Sequence, residues 1–171
     1  GGVARIAAGS VRLRCTIATT PAGGRKSFDV NGASVGFARF LGKARVVTFT
    51  PADLGLVFGG PALRRTFLNN ALAQISPTYY RDLARYGKIA QQKGALLRGS
   101  VDPDRELLLA YNDALVGPGA ALIAARRSFV AALAEGVAAV YGRWRGTSER
   151  IAVVYASNPP PADDPAAALR A

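Results

Sequence analysis

The chain has 171 residues, 50% hydrophobic and 19% charged, which suits one globular domain or two small lobes with a buried core. Its 22 Lys and Arg against 11 Asp and Glu, with no His, give a formal charge of +11 and favour polyanionic partners such as nucleic acid or an anionic surface. Zero His removes imidazole bases, imidazole metal ligands and Ser-His-Asp or Cys-His catalysis, while the single Cys15 excludes an internal disulfide and a CxxC zinc site and fits a reducing cytoplasm.

Residues 1–60 carry eight basic and two acidic side chains and short β-branched runs. Val11 to Ile17 alternates apolar and polar at period two, which predicts a strand, and Cys15 shares the parity of Val11, Leu13 and Ile17, so it reads as a small core hydrophobe. Pro21-Ala22-Gly23-Gly24 is turn chemistry, Lys26 to Val30 a returning strand, Asn31-Gly32 a tight turn, and Ala44 to Phe49 a further strand, all antiparallel. Gly23-Gly24-Arg25-Lys26-Ser27 resembles the end of a phosphate loop. However, Arg25 separates glycine from lysine and a strand and turn follow instead of a helix, so the segment reads as a hairpin.

From Gly59-Gly60-Pro61 the period becomes 3.6. A helix opens at Pro61, with Leu68, Leu72 and Ile75 on one face beside Phe67 and Ala71. Ser76-Pro77 ends it and caps a second helix running toward Leu97, with Tyr79, Leu83, Tyr86, Ala90 and Leu97 near one stripe. A third starts at Asp102-Pro103, with Asp102 as its cap, and Gly117-Pro118-Gly119 predicts a kink or break. Helical pattern resumes from Ala120 through Trp144, with Trp144 assigned to the core, and Ile151 to Tyr155 reads as one returning strand. The expected fold is α+β in three parts: a β-rich part (1–60), a helical lobe (61–146), then the returning strand with a Pro/Ala-rich end (147–171). The apolar window Leu107 to Ala125 holds Asp113 and a Gly-Pro-Gly break, which argues against a membrane span. With no Met and an opening Gly1-Gly2-Val3, the chain reads as an internal piece of a longer protein.

The basic residues are the informative candidates. Arg81, Arg85 and Lys88 fall at i, i+4 and i+7, one positive stripe able to track phosphates or simply a solvated face. Arg64 and Arg65 lie in the first turn of a helix, where cations oppose the dipole, so an external partner is the expected reason for them. Arg126 and Arg127 are further candidates for polyanion contact, with solubility as the plainer alternative. No catalytic or metal-binding residues are assigned.

The stretch Phe49-Thr50-Pro51-Ala52-Asp53-Leu54-Gly55-Leu56-Val57-Phe58-Gly59-Gly60-Pro61-Ala62-Leu63-Arg64-Arg65-Thr66-Phe67-Leu68 resembles the RecF family of bacterial recombination and replication-repair proteins, whose pattern there is close to FSPEDLxLVxGxPxxRRxFLD. The likeness continues at Ser76 to Tyr79, Leu83 to Tyr86, Gln92 to Arg98, Gly119 to Ile123 and Arg126 to Val130, and covers roughly residues 10–155. Departures are Asn69 for Asp, Gly94 for Asn, Tyr111-Asn112 for Trp-Asp, and Pro118 in a helix the family keeps continuous.

The resemblance implies antiparallel strands of an ABC-type, SMC-like ATPase head followed by a helical arm. It implies ATP-dependent binding of single-stranded or gapped duplex DNA and an ATP-dependent homodimer. It further implies help in loading recombinase at gaps through RecR and RecO, a link to the SOS response, and a cytoplasmic location with no membrane partner. ATP and Mg2+ are implied for the full-length family member. The family's Walker A, signature and Walker B segments have no counterpart in this chain, so alone it is expected neither to bind ATP nor to hydrolyse it. The rival reading is a non-enzymatic helical arm that binds a recombination mediator; a basic coat for anionic membrane is a third.

Overall fold

A computed structural model describes residues 2–8, 11–21, 23–99, 101–144, 149–157, 166 and 169. The fold is α+β. Four strands, β1 (Gly2–Ala8), β2 (Val11–Thr20), β3 (Gly23–Val30) and β4 (Ala33–Val35), pair consecutively in an antiparallel meander. The Asn31-Gly32 turn forms as its residue types require: Asn31 and Gly32 take φ of 53° and 87°, the positive values that such a two-residue hairpin needs. Asn31 Oδ1 accepts from the Arg12 N–H at 2.7 Å, and the Asn31 N–H donates to the Arg12 carbonyl at 2.8 Å. That turn sets the β3–β4 register Val30↔Ala33 and Phe28↔Val35, while β2 and β3 pair as Leu13↔Val30 and Cys15↔Phe28.

The helices are α1 (Phe37–Phe40), α2 (Gly55–Phe58, after a 3-10 turn at Pro51–Leu54), α3 (Pro61–Ile75), α4 (Pro77–Gly99) and α5 (Arg105–Tyr141). The chain packs as two units, residues 1–80 and 81–171, so the packing boundary falls inside α4. In the first unit Leu13, Leu68, Leu72, Ala73 and Tyr79 are buried. The Phe28 ring lies 5.2 Å from Phe37 and 4.9 Å from Phe40, and Phe37 meets Tyr80 edge-on at 5.6 Å, within the range of favourable aromatic pairs. Cys15 is half-buried on the same side.

Four expectations need correction. Ala44–Phe49 is irregular: the Val46 N–H donates to Gln74 Oε1 at 2.8 Å instead of joining a ladder, and Val47 and Phe49 are 97% and 81% exposed. Ile151–Tyr155 likewise has no ladder partner among the described residues, and an apolar alternation makes a strand only where a neighbour supplies hydrogen bonds. The α5 cap is Asp104, not Asp102: Asp104 Oδ1 accepts from the amides of Glu106 at 2.9 Å and Leu107 at 3.2 Å. Asp104→Ala is expected to cost about 1 kcal/mol, read as a lower urea midpoint with unchanged slope.

Fourth, α5 runs unbroken through Pro118 for 37 residues. The missing N–H and the ring clash cost about 3 kcal/mol in an isolated helix, but Val116, Pro118, Gly119 and Leu122 are buried here, and packing offsets that cost. Gly119 makes the close packing possible, since a Cβ there would stand 3.3 Å from Tyr86 Cε2 and 3.2 Å from Leu169 Cδ1. A clasp nearby joins α4 to α5, with Lys93 Nζ donating to Asn112 Oδ1 at 2.6 Å. By length and composition α5 alone among the described helices is apolar enough to cross a membrane, yet it buries part of that apolar face within its own unit.

Candidate nucleic-acid interface

Helix α4 starts cleanly because Ser76 Oγ accepts the Tyr79 amide at 3.1 Å and Pro77 supplies a pre-set φ angle. The helical period then settles the faces. Tyr79 is buried and Leu83, Tyr86 and Ala90 half-buried, while Arg81, Arg85 and Lys88 are all exposed and lie along one side, two turns long. The expected stripe therefore exists. Arg81 already takes part in an interaction within the chain, as do Arg126, which is half-buried, and Arg127, which is exposed, on α5.

Arg64 and Arg65 belong to the first unit and are exposed on α3. Arg64 has an internal reason for its place: its Nη1 donates to the Gly59 carbonyl at 2.8 Å and the Leu56 carbonyl at 3.2 Å, closing off the turn before α3. A cation at carbonyls that end a helical turn is favourable, which explains what the dipole argument assigned to an outside partner. Arg65 is exposed and has no such tether among the described residues.

Trp144, assigned to the core from sequence, is 69% exposed and stacks on Tyr141 at 6.3 Å, because the apolar stripe of α5 ends before it. Its exposure also had no sequence signal, since tryptophan at a helix end fits either setting.

The glycine-rich segment of β3 is not a phosphate loop. Gly23-Gly24-Arg25-Lys26-Ser27 lies in β3 and continues into the Asn31 turn, so no helix N-terminus stands behind it to hold a phosphate. Among the described residues no group of three or more His, Cys, Asp and Glu gathers to hold a metal ion.

No family model matches the chain. Curated relatives do: it is 36% identical over 135 residues to the DNA replication and repair protein RecF of Salinibacter ruber (76% of this chain, 33% of that protein). It is 38% identical over 125 residues to that of Thermomicrobium roseum (70% and 32%) and 38% over 134 residues to that of Symbiobacterium thermophilum (78% and 34%). A solved structure of the recombination mediator protein RecF-ATPrS in the RecFOR pathway shares the fold, with a TM-score of 0.67 and 24% identity over 75% of this chain and 35% of that one. The relatives it matches are of a class named for DNA replication and repair. Over the matched residues the chain belongs to the RecF family, and it spans about one third of the length of the curated relatives.

Proposed function

We propose that this chain supplies a DNA-contacting surface to a RecF-type replication and repair protein, and that the Arg81, Arg85 and Lys88 face of α4 carries the contact. The supporting observation is the exposure of all three cations on one side of a helix with a sharply defined start. Such a row lies along the sugar-phosphate backbone and binds through charge and counterion release, without reading bases. In the full-length protein this surface would serve ATP-dependent binding of single-stranded or gapped duplex DNA in the cytoplasm, with Mg2+, a homodimer and the RecR and RecO mediators in recombinase loading. That activity is a proposal drawn from the relatives' names and the family resemblance.

The test is a salt titration of DNA binding by the chain. Arg81→Ala/Arg85→Ala/Lys88→Ala is expected to lower the slope of log K against log salt by about 0.9 for each phosphate that is no longer neutralised. An unchanged slope and affinity would remove this face from the interface. A second reading, a protein-interaction arm, is favoured by exposed Val140 and Trp144 near the end of α5, since tryptophan is enriched at interface centres. Mediator binding that resists salt and is lost in Trp144→Ala, with no DNA binding at low salt, would support it.

A further inference from the structure

One face of the sheet is occupied. Leu13 and Cys15 of β2 pair with Val30 and Phe28 of β3, and the Phe28 ring packs on Phe37 and Phe40 of α1. Strand alternation therefore puts Arg12, Arg14, Thr16 and Ala18 of β2, with Arg25, Ser27 and Asp29 of β3 and Ser34 of β4, on the opposite face. Arg12, Arg14 and Arg25 are exposed. The ladder sets Arg14 opposite Asp29. Among the described side chains of β2 to β4 on this face that is the single carboxylate beside three arginines, which leaves the face positive.

We propose that this sheet face is a second binding surface, one that takes the phosphate backbone of duplex DNA. The inference rests on the DNA-binding reading above but concerns different residues in the other unit. Same-face neighbours along a strand stand about 7 Å apart, so Arg12 and Arg14 start from adjacent positions of β2, while Arg25 lies opposite Ala18, two same-face positions beyond Arg14, and extends the positive face along the sheet. Each of these cations can neutralise a phosphate and release its counterions, and the sheet fixes the positions from which the side chains reach. The described β2, β3 and β4 positions on this face include no aromatic side chain. Unstacked single strands are held largely by aromatic stacking, so the chemistry here selects a closed duplex, met through its backbone.

The experiment compares the chain with Arg12→Ala/Arg14→Ala/Arg25→Ala and Arg12→Lys/Arg14→Lys/Arg25→Lys variants, on a duplex and on oligo-dT, by fluorescence anisotropy across salt, with circular dichroism melts as the check on folding. The alanine variant is expected to bind duplex more than about tenfold more weakly near 0.1 M salt, with a slope smaller by about two to three units, and to bind oligo-dT within about threefold of the parent. The lysine variant is expected to stay close to the parent on duplex; a loss as large as alanine's overturns the electrostatic account. Duplex binding unchanged in the alanine variant but weakened by the α4 variant overturns the sheet surface and leaves the α4 reading standing. No DNA binding by the parent overturns both. Loss of binding to phosphatidylserine vesicles, with duplex binding intact, overturns the proposal in favour of a lipid surface.

Discussion

Tyr79→Ala is expected to destabilise the chain by about 3–5 kcal/mol, the usual cost of emptying a buried aromatic site. Tyr79 is 3% exposed and stands one residue before the packing boundary, within the first unit and its core. Its hydroxyl donates to Asn69 Oδ1 at 2.8 Å, tying the start of α4 to the middle of α3. Tyr79→Phe keeps the ring and removes the hydroxyl with this bond, for about 1 kcal/mol. Because the bond is shared, Tyr79→Phe combined with Asn69→Ala is expected to cost less than the two changes summed, as residues in contact are not additive. Urea unfolding of the four proteins measures this. A Tyr79→Ala midpoint within about 1 kcal/mol of the parent would mean that the α3–α4 corner does not hold the unit together.

The corner also shows which features a sequence displays. Pro61, Ser76 and Pro77 act locally through φ restriction and side-chain capping, so the bounds of α3 and the start of α4 are readable, as is the turn at Asn31-Gly32. Features that depend on a distant partner are not. Ala44–Phe49 has strand composition, yet Gln74, 28 residues beyond Val46, takes the hydrogen bond that a neighbouring strand would need. Pro118 carries a strong local breaker signal, and burial of residues 116, 118, 119 and 122 overrides it. Asp102 and Asp104 flank the same proline and are equally good caps by composition; only the backbone path selects Asp104.

The same division governs the candidate interface. The α4 stripe is legible because helical spacing alone decides which residues share a side. The basic sheet face is not, because Arg12, Arg14 and Arg25 fall on one face only once the register of β2 and β3 is known. A shift of one residue would exchange the faces of a strand and scatter them. Arg64 shows the same limit: its position against the helix dipole signals a need for negative partners, but not that carbonyls five and eight residues earlier in the chain are among them.

Gly59 and Gly60 are indistinguishable by residue type, and the structure predicts responses to alanine of very different size. Gly59 has φ −89° and ψ 178°, which any residue adopts, so its requirement is space. A Cβ there would collide with the Gly55 carbonyl oxygen and stand 2.6 Å from Leu63 Cδ1. The oxygen is backbone and cannot rotate away. It also accepts the Gly59 N–H at 2.8 Å, while the Gly59 carbonyl accepts from Arg64, so relief of the collision opens α2 and loosens the Arg64 tether together. Gly59→Ala is expected to cost about 1–3 kcal/mol, in the range of overpacked sites. The loss should appear locally, as faster hydrogen exchange at the Gly59 and Leu63 amides before the rest of the first unit changes. Gly60→Ala places its Cβ in open space at φ −73° and is expected to cost only a few tenths of a kcal/mol as a poorer helix cap. Leu63→Ala added to Gly59→Ala removes one of the two collisions and should restore part of the protection. Equal exchange rates in Gly59→Ala and Gly60→Ala would show that the turn before α3 does not need the close approach of Gly55 and Gly59.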